Sequence, residues 1–395
     1  MSRRRLLAVY PYLPYPPDYG GRIRCFHLLE FLREHFRIEL AVLTSAEDDS
    51  ATIQELGAMV DRIVAIPSPS PPQLSRRRKV RNTLSPEPWE LPLRSKHLER
   101  FVYERSGECE VLFVDSGRLL PCRRCSRSEV HVLDADDLAH IILYRRLKKM
   151  TALKSRLGYT LEFFKTFLYE LKGMAKFDAV LVASDDDFQK LHRWNRKLPL
   201  HIVPNGVNIE RFAYNDSESS QENLLLFLGA LDYEPNEFAV VWLCKSIFPK
   251  IKRQVPRARL HLVGRNPSRL VRSLIGPGIE LTPNVPDVRP YLYRSRVVVV
   301  PITMGGGTRI KILEAAAAGR PVVSTSIGAE GLRFIPGIEI EIADNEEQFV
   351  RKTIELLSNR VKAEEMGKLA RSKVEREYTW EMSKRRLAAA ISPWL

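Results

Sequence analysis

A unit of strand, glycine turn, helix and strand between residues 297 and 324 constrains the fold of this chain more than any other feature. Four consecutive valines at 297–300 predict a strand buried on both faces, as in a parallel sheet. Three glycines then predict a sharp turn that leaves backbone N–H groups uncovered: Gly305, Gly306 and Gly307. An alanine-rich segment and the run at 321–324 predict a helix and a second strand. The unit therefore indicates an α/β fold.

The glycine turn and the start of the next helix predict a phosphate-binding site. Thr308 can cap the helix by accepting a hydrogen bond from the N–H of Lys311. The N–H groups of Arg309 and Ile310 would then lie at the positive end of the helix dipole, and Arg309 and Lys311 add two charges. Glu314 lies six residues past the cap, roughly 9 Å along a helix that rises ~1.5 Å per residue. Such a separation fits a nucleotide's diphosphate and its ribose hydroxyls, so we predict a nucleoside-diphosphate site.

Composition narrows the class of protein. At 395 residues the chain is long enough for two to three domains. A net charge of +14 favours anionic partners such as phosphates, nucleic acid or an anionic membrane surface. No recognition helix, aromatic RNA-binding strand or zinc finger accompanies the charge, so we expect no nucleic-acid partner. No apolar run approaches the ~20 residues that span a bilayer, and the apolar part of residues 1–10 is too short for a secretory signal. We therefore expect a cytoplasmic protein.

Five scattered cysteines fit reduced thiols. Cys122 and Cys125 form one CxxC pair, for which an incidental surface loop is preferred to a zinc or redox site.

The first half of the chain alternates short apolar strands with helices. A loop at 11–21 ends in Gly20 and Gly21, which indicate either a tight turn or a backbone that closely approaches a ligand. A strand at 130–133 ends in the run 134–137, where Asp136 and Asp137 either cap a helix or contact a ligand. The Asp-x-Asp pair at 134 and 136 is a less favoured candidate for a divalent-metal site. A long helix from about residue 153 to 176 carries five aromatic residues that we predict to be core rather than membrane anchors: Tyr159, Phe163, Phe164, Phe167 and Tyr169.

The polar, acidic segment 214–222 is predicted to be an interdomain linker. After it the α/β pattern restarts, so the two halves predict two Rossmann-like domains facing a cleft. The predicted domain bounds are 1–205 and 206–376, followed by a C-terminal helix at 377–395.

Several motifs together resemble GT-B glycosyltransferases of family 4, over nearly the whole chain. They are the glycine-turn unit, the Gly20-Gly21 loop, the segment 203–207, Leu228-Gly229, and the segment 262–264. The forms at 305–315 and 232–236 are similar to the sugar transferases associated with exosortase and exopolysaccharide systems. This resemblance implies a retaining hexosyltransferase that acts without a metal or other cofactor. It also implies a nucleotide-sugar donor, bound by the C-terminal domain at 206–376, and a glycan or polyprenyl-linked acceptor, bound by the N-terminal domain at 1–205. The helix at 377–395 would pack back on the N-terminal domain.

The resemblance implies roles for individual residues. Glu314 matches the second glutamate of the family's E-x7-E motif and would hold the donor's ribose, whereas Gly306 stands where the first glutamate is expected. Backbone N–H groups at Gly307 and Thr308 would replace that glutamate. Arg309 and Lys311 would neutralise the leaving diphosphate. The remaining implied positions are donor-side Gly20, Gly21, Gly229 and Gly305, and acceptor-side Asp136 and Asp137.

Two other functions stay open: a sugar-nucleotide epimerase of the same build, and a non-catalytic nucleotide-sugar-binding scaffold. Basic runs at 76–81, 123–124 and 145–149 predict a peripheral location on the inner face of the plasma membrane.

Overall fold

The structure is a computed structural model that describes residues 3–45, 50–69, 85, 87, 88, 91, 93–150, 152–213 and 223–395. The predicted linker at 214–222 and the basic run at 76–81 lie outside the described residues. The chain divides into two compact units. Unit 1 is Met1–Pro204 with Lys384–Leu395, and unit 2 is Asn205–Ser383. Each unit is built around one parallel sheet with helices, which confirms two Rossmann-like units.

Unit 1 contains a seven-stranded parallel sheet in the order β3-β2-β1-β4-β5-β6-β7. The strands are β1 (Arg5–Tyr10), β2 (Arg37–Thr44), β3 (Arg62–Pro67), β4 (Val111–Asp115), β5 (Val130–Ala135), β6 (Ala179–Val182) and β7 (Leu200–Ile202). The helices are α1 (Gly20–His35), α2 (Ser50–Gly57), α3 (Lys96–Ser106), α4 (Cys122–Cys125), α5 (Ala139–Lys149), α6 (Leu153–Met174) and α7 (Asp185–Trp194). A 3₁₀ turn spans Gly117–Leu119. The strands alternate in sequence with helices, so crossovers of this kind keep them parallel.

Unit 2 contains a six-stranded parallel sheet in the order β10-β9-β8-β11-β12-β13. The strands are β8 (Leu224–Leu228), β9 (Arg259–Gly264), β10 (Ile279–Pro283), β11 (Val297–Val300), β12 (Val322–Ser324) and β13 (Glu341–Ile342). The α-helices are α8 (Glu234–Trp242), α9 (Phe248–Gln254), α10 (Arg269–Arg272), α11 (Arg289–Arg294), α12 (Ile310–Ala317), α13 (Glu346–Ser358), α14 (Arg360–Glu377) and α15 (Trp380–Ile391). A π-helical segment, Leu243–Ile247, joins α8 to α9, and a 3₁₀ turn, Ser392–Trp394, follows α15. The four valines of β11 are fully buried, as their run predicts.

Both sheets have a point where the strand order reverses. In unit 1, β1 lies between β2 and β4, and in unit 2, β8 lies between β9 and β11. Ligands of open α/β sheets bind beyond the carboxyl ends of the strands at such switch points. The turn after β11 therefore lies at the switch point of unit 2, and the residues after β5 lie at the carboxyl edge of the unit 1 sheet, one strand beyond its switch point.

The C-terminal helix α15 crosses from one unit to the other along the chain. Its residues from Lys384 onward belong to unit 1. Leu387, Ala390 and Ile391 are buried in the same hydrophobic cluster as residues of β1 and α1. The crossing is the one predicted for this helix, because the apolar face of α15 has its partner in the N-terminal sheet.

The five aromatic residues of α6 do not form the predicted core. Phe164 is 55% exposed, and Tyr159, Phe163 and Phe167 are only partly buried. Tyr169 alone among the five packs against a hydrophobic core cluster. The prediction fails because α6 buries its polar face instead. Among the described helices, none is long and apolar enough to cross a membrane.

Candidate functional site

The site in unit 2 begins where the ends of β8 and β9 touch. A Cβ added at Gly264 would overlap the carbonyl oxygen of Gly229, so the chain after β8 lies directly on the end of β9. A Cβ at Gly229 would lie 2.6 Å from Nζ of Lys311 and 2.9 Å from Nδ2 of Asn236. Glycine at 229 therefore leaves room for a lysine amine against the backbone.

Lys311 is fixed by two neighbours. Its Nζ donates a hydrogen bond to Oδ1 of Asn236 at 2.9 Å and lies 4.6 Å from the ring centroid of Phe227, in cation–π range. Asn236 is buried, and its Nδ2 donates to the carbonyl oxygen of Ala230 at 2.8 Å. One amide thus holds both the loop after β8 and the lysine. Asn236 belongs to the segment 232–236, whose sequence alone predicts no role for this amide. The signal that could identify Asn236 is its position directly after Pro235, in the first turn of helix α8.

The charges of the site are poorly solvated. Burial, with a smaller contribution from Arg309, lowers the pKa of Lys311 to about 7, against an opposing effect of Glu314. Burial raises the pKa of Glu314 to about 7, against opposing effects of Arg211 and Lys311. A diphosphate beside Lys311 would favour the charged ammonium, since an opposite charge compensates for lost solvation. Arg211, whose positive charge acts on the carboxylate of Glu314, is a residue of the site that the sequence does not predict.

The glycine turn is held from within by an arginine. Gly305 and Gly307 have φ values of 102° and 66°, which favour glycine. Nη1 of Arg309 donates to the carbonyl oxygens of Gly306 and Gly307, the latter at 2.5 Å. Nη2 of Arg309 is buried without a hydrogen-bond partner among the described residues. Arg309 therefore shapes the turn and has a further donor to offer.

The predicted capping role of Thr308 is wrong. The helix α12 starts at Ile310 with Arg309 at its N-cap position, and no side chain caps it. The hydroxyl of Thr308 instead accepts a hydrogen bond from Nδ2 of Asn205 at 2.6 Å. The chain is still extended at Arg309, with ψ of 94°, so Thr308 precedes the helix by too much to reach its N–H groups.

Asn205 is placed by the packing of the next two residues. A Cβ at Gly206 would lie 2.6 Å from the backbone nitrogen of Trp380. The N–H of Val207 donates to the carbonyl oxygen of Tyr378 at 2.8 Å. This close approach to the end of α14 and the start of α15 keeps the amide of Asn205 beside the glycine turn.

In unit 1 the predicted aspartates lie next to a buried ion pair. Nε and Nη2 of Arg24 donate to both carboxylate oxygens of Asp134, at 2.8 and 2.6 Å, and its Nη1 donates to the carbonyl oxygen of Val203 at 2.9 Å. Asp136 lies 3.7 Å from Nε of Arg24 and is partly buried, whereas Asp137 is exposed. Both oxygens of Asp134 are thus engaged by a guanidinium, in the Asp-x-Asp pair that was a candidate metal site.

Gly20 and Gly21 form the first turn of α1 and not a loop before it. A Cβ at Gly21 would overlap the hydroxyl of Tyr12, so this glycine is explained by packing against a tyrosine. The prediction that these two glycines end the loop 11–21 is wrong, because helix α1 already begins at Gly20.

The two cysteines of the CxxC pair lie in α4, and burial raises the pKa of both thiols. Among the described residues no group of three His, Cys, Asp or Glu side chains is arranged to hold a metal ion.

The structure thus places Gly229, Gly305, Gly306, Gly307, Thr308, Arg309, Lys311 and Glu314 in unit 2 and Gly20, Gly21, Asp136 and Asp137 in unit 1. In unit 2, Lys311 has Gly229 and Arg309 beside it, with Glu314 three residues further along α12.

Comparisons with known proteins bear on both units. Residues 222–359 match the family model described as Glycosyl transferases group 1. The chain is also 24% identical over 375 residues to an uncharacterised 44.6 kDa protein in the cps region of Klebsiella pneumoniae. That alignment covers 90% of this chain and 91% of the relative.

Solved structures share the fold along the whole chain. Sucrose-phosphate synthase from Thermosynechococcus elongatus has a TM-score of 0.73 at 16% identity, covering 99% of both chains. HepE from Anabaena, in complex with UDP and glucose, has a TM-score of 0.69 at 13% identity, covering 99% of this chain and 100% of its own. The G117R mutant of TarM from S. aureus, in complex with fondaparinux, alpha-GlcNAc-glycerol and UDP, has a TM-score of 0.70 at 11% identity, covering 98% of this chain and 99% of its own.

Proposed function

We propose that this chain is a retaining hexosyltransferase using a nucleotide-sugar donor, because residues 222–359 match the Glycosyl transferases group 1 model and solved glycosyltransferase structures share its two-unit fold. Its acceptor is a glycan or a polyprenyl-linked sugar in cell-surface polysaccharide synthesis. The observation that carries the proposal is Lys311, held by Asn236 beside Gly229 and the glycine turn, at the edge of the sheet where α/β folds bind ligands.

The chemistry of transfer fits this arrangement. Cleavage of the bond between the anomeric carbon and the diphosphate builds negative charge on the departing phosphate, and preorganised cations and N–H donors stabilise that charge. Lys311 supplies the cation. The buried Nη2 of Arg309 is a candidate second donor, and Glu314, three residues along α12, can accept hydrogen bonds from the ribose hydroxyls.

Two relatives support the cellular role. The Klebsiella relative is described as a protein in a cps region, which supports a role in polysaccharide synthesis. HepE was solved in complex with UDP and glucose, which supports a nucleotide-sugar donor. We therefore propose a uridine-type donor as the first to test, and a polysaccharide as the destination of the sugar. A polyprenyl-linked acceptor would place the protein at the cytoplasmic face of the plasma membrane.

A thermal-shift screen across nucleoside diphosphates and their sugars tests the donor, because a ligand that binds the folded state raises its stability by mass action. With the best donor and a matching acceptor, we expect transfer to persist in EDTA. The product is expected to keep the donor's anomeric configuration, read from the anomeric proton coupling. Loss of activity in EDTA that Mg²⁺ or Mn²⁺ restores would overturn the metal-free mechanism, and an inverted product would overturn retention.

The same donor without acceptor separates transfer from epimerisation. A glycosyltransferase leaves the sugar nucleotide unchanged apart from slow hydrolysis, whereas steady conversion to an epimer would identify an epimerase. Binding without transfer to any acceptor would identify a scaffold.

Lys311 and Glu314 both have a pKa of about 7, and together they predict a maximum in donor affinity near pH 7. Above pH 7 free Lys311 loses its proton, so binding a diphosphate must recover it, and affinity falls by up to about tenfold per pH unit. Below pH 7 Glu314 gains a proton and accepts ribose hydrogen bonds less well. The measurement is calorimetric titration with a UDP-sugar, which lacks a terminal phosphate that would itself titrate.

Two variants show which residue causes the fall in donor affinity on each side of pH 7. Lys311→Met removes the fall above pH 7, and Glu314→Gln removes the fall below it while weakening binding by a few kcal/mol at most, roughly the value of hydrogen bonds to a charged group. An affinity that does not change between pH 6 and pH 8.5 would show that neither group contacts the donor.

A further inference from the structure

Helix α6 exposes one apolar face to solvent. Four residues at spacings of four, three and four share one face of the helix, and their side chains are 75%, 41%, 55% and 49% exposed: Leu157, Leu161, Phe164 and Leu168. The buried face is polar instead, formed by Glu162, Lys165, Thr166 and Glu170. Single exposed apolar side chains are ordinary, but four on one face mark an interaction surface.

Hydrogen bonds fix this orientation of α6. The carboxylate of Glu170 accepts from the backbone N–H groups of Ala139 and His140, at 2.9 and 3.0 Å, and from Nδ1 of His140 at 2.6 Å. The polar face of α6 thus holds the first turn of α5. Turning the apolar face inward would leave these N–H groups without their acceptor, so the exposed face is a stable feature of the fold.

Aromatic residues extend the apolar face across the neighbouring helices. Tyr144 on α5 is 45% exposed and lies 5.9 Å from Phe163, centroid to centroid. Trp194 at the end of α7 is 65% exposed and lies 5.1 Å from Phe167. We name the whole set the α5–α7 surface: Tyr144, Leu157, Leu161, Phe164, Leu168 and Trp194. Tyrosine and tryptophan suit the boundary between an apolar phase and water, because each has an apolar ring and one polar group.

The exposed charges on α5 and α6 are of one sign, and the acids of α7 lie in its first turn, at the opposite end from Trp194. Lys148, Lys149 and Arg156 are exposed, and Nζ of Lys148 lies 4.7 Å from the ring centroid of Tyr144. The acids of α5 and α6 are Glu162 and Glu170, and both are buried. Among the described side chains of the two helices, every exposed charge is therefore positive. An apolar face bordered by cations complements an anionic lipid surface.

We propose that the α5–α7 surface binds an anionic lipid bilayer. The leucines and Phe164 insert between the acyl chains, and Lys148, Lys149 and Arg156 lie among the headgroups. A second copy of this chain fits less well, because a two-fold pairing would bring like charges together. The inference deepens the membrane location in the proposed function. It is tested without donor or acceptor, so its failure is distinct from a failure of sugar transfer.

Vesicle flotation at fixed lipid concentration tests the proposal. Wild-type protein is expected to float with vesicles of phosphatidylcholine and phosphatidylglycerol at 7:3, and at least tenfold less with phosphatidylcholine alone. Leu161→Ser with Phe164→Ser is expected to lower the partition coefficient on the anionic vesicles at least tenfold. Lys148→Glu with Lys149→Glu is expected to lower it at low salt and to make binding less salt-dependent, since exposed charges are screened by salt.

The matched control is Lys368→Glu with Leu369→Ser, a neighbouring cation and leucine that are both exposed on α14 in unit 2. This control should float like wild type, and all variants should keep the wild-type melting temperature and nucleotide shift. Wild-type protein that does not float, or surface variants that float as well as the control, would overturn the proposal. So would a wild-type dimer that Leu161→Ser with Phe164→Ser converts to a monomer without changing flotation.

Discussion

Replacing Lys311 by methionine is expected to reduce kcat about 10²–10³-fold, the usual cost of removing one preorganised group that stabilises developing charge. The effect should fall on kcat more than on KM, because the charge on the diphosphate increases as the bond to the sugar breaks. Methionine keeps the length of the side chain beside Gly229 and Phe227, so the turn keeps its packing. Initial-rate kinetics with saturating acceptor measure the change.

Arg309 and a distant lysine complete that experiment. Arg309→Met removes the donors to the carbonyl oxygens of Gly306 and Gly307, so it should disturb the turn and raise KM as well as lower kcat. Lys245→Met, an exposed lysine of the π-helical segment, is the control and should turn over at the wild-type rate. Native rates for Lys311→Met and Arg309→Met together would show that the donor binds elsewhere.

Replacing Arg24 by methionine is expected to destabilise unit 1 by about 3–5 kcal/mol, because it leaves the buried carboxylate of Asp134 without its partner. Arg24 and Asp134 are both fully buried, and the carbonyl oxygen of Val203 loses its donor in the same step. Urea unfolding followed by hydrogen exchange at the amides of β1 and β5 is the appropriate measurement, since two units need not unfold together.

A second change should rescue that loss. Arg24→Met with Asp134→Leu removes both charges, and replacing a whole buried ion pair by apolar residues is often close to neutral. Arg100→Met is the matched control, because Arg100 pairs with Glu104 on the exposed face of α3 and should leave stability almost unchanged. An Arg24→Met protein as stable as this control would mean that the buried pair does not stabilise unit 1.

Much of the fold can be predicted from the sequence. The valine run of β11, the glycine turn and the alanine-rich helix follow one another as predicted, and glycines at 305 and 307 do have positive φ. These features depend on local chemistry: β-branched residues favour strands, and glycine tolerates left-handed backbone. The predicted cap at Thr308 is wrong because a threonine can cap a helix or bind a distant amide, and local sequence does not choose between them.

The sequence by itself determined the order of strands and helices, the two α/β halves, the glycine turn and the charged residues of α12. Only the tertiary structure decided which distant groups meet: Arg24 with Asp134, 110 residues apart, and Lys311 with Asn236, 75 residues apart. It also decided which face of α6 is covered. Periodicity shows that Leu157, Leu161, Phe164 and Leu168 share a face, but burial depends on what the rest of the chain presents to that helix. Here the rest of the chain presents the N–H groups of α5, so the acids turn inward and the leucines face out.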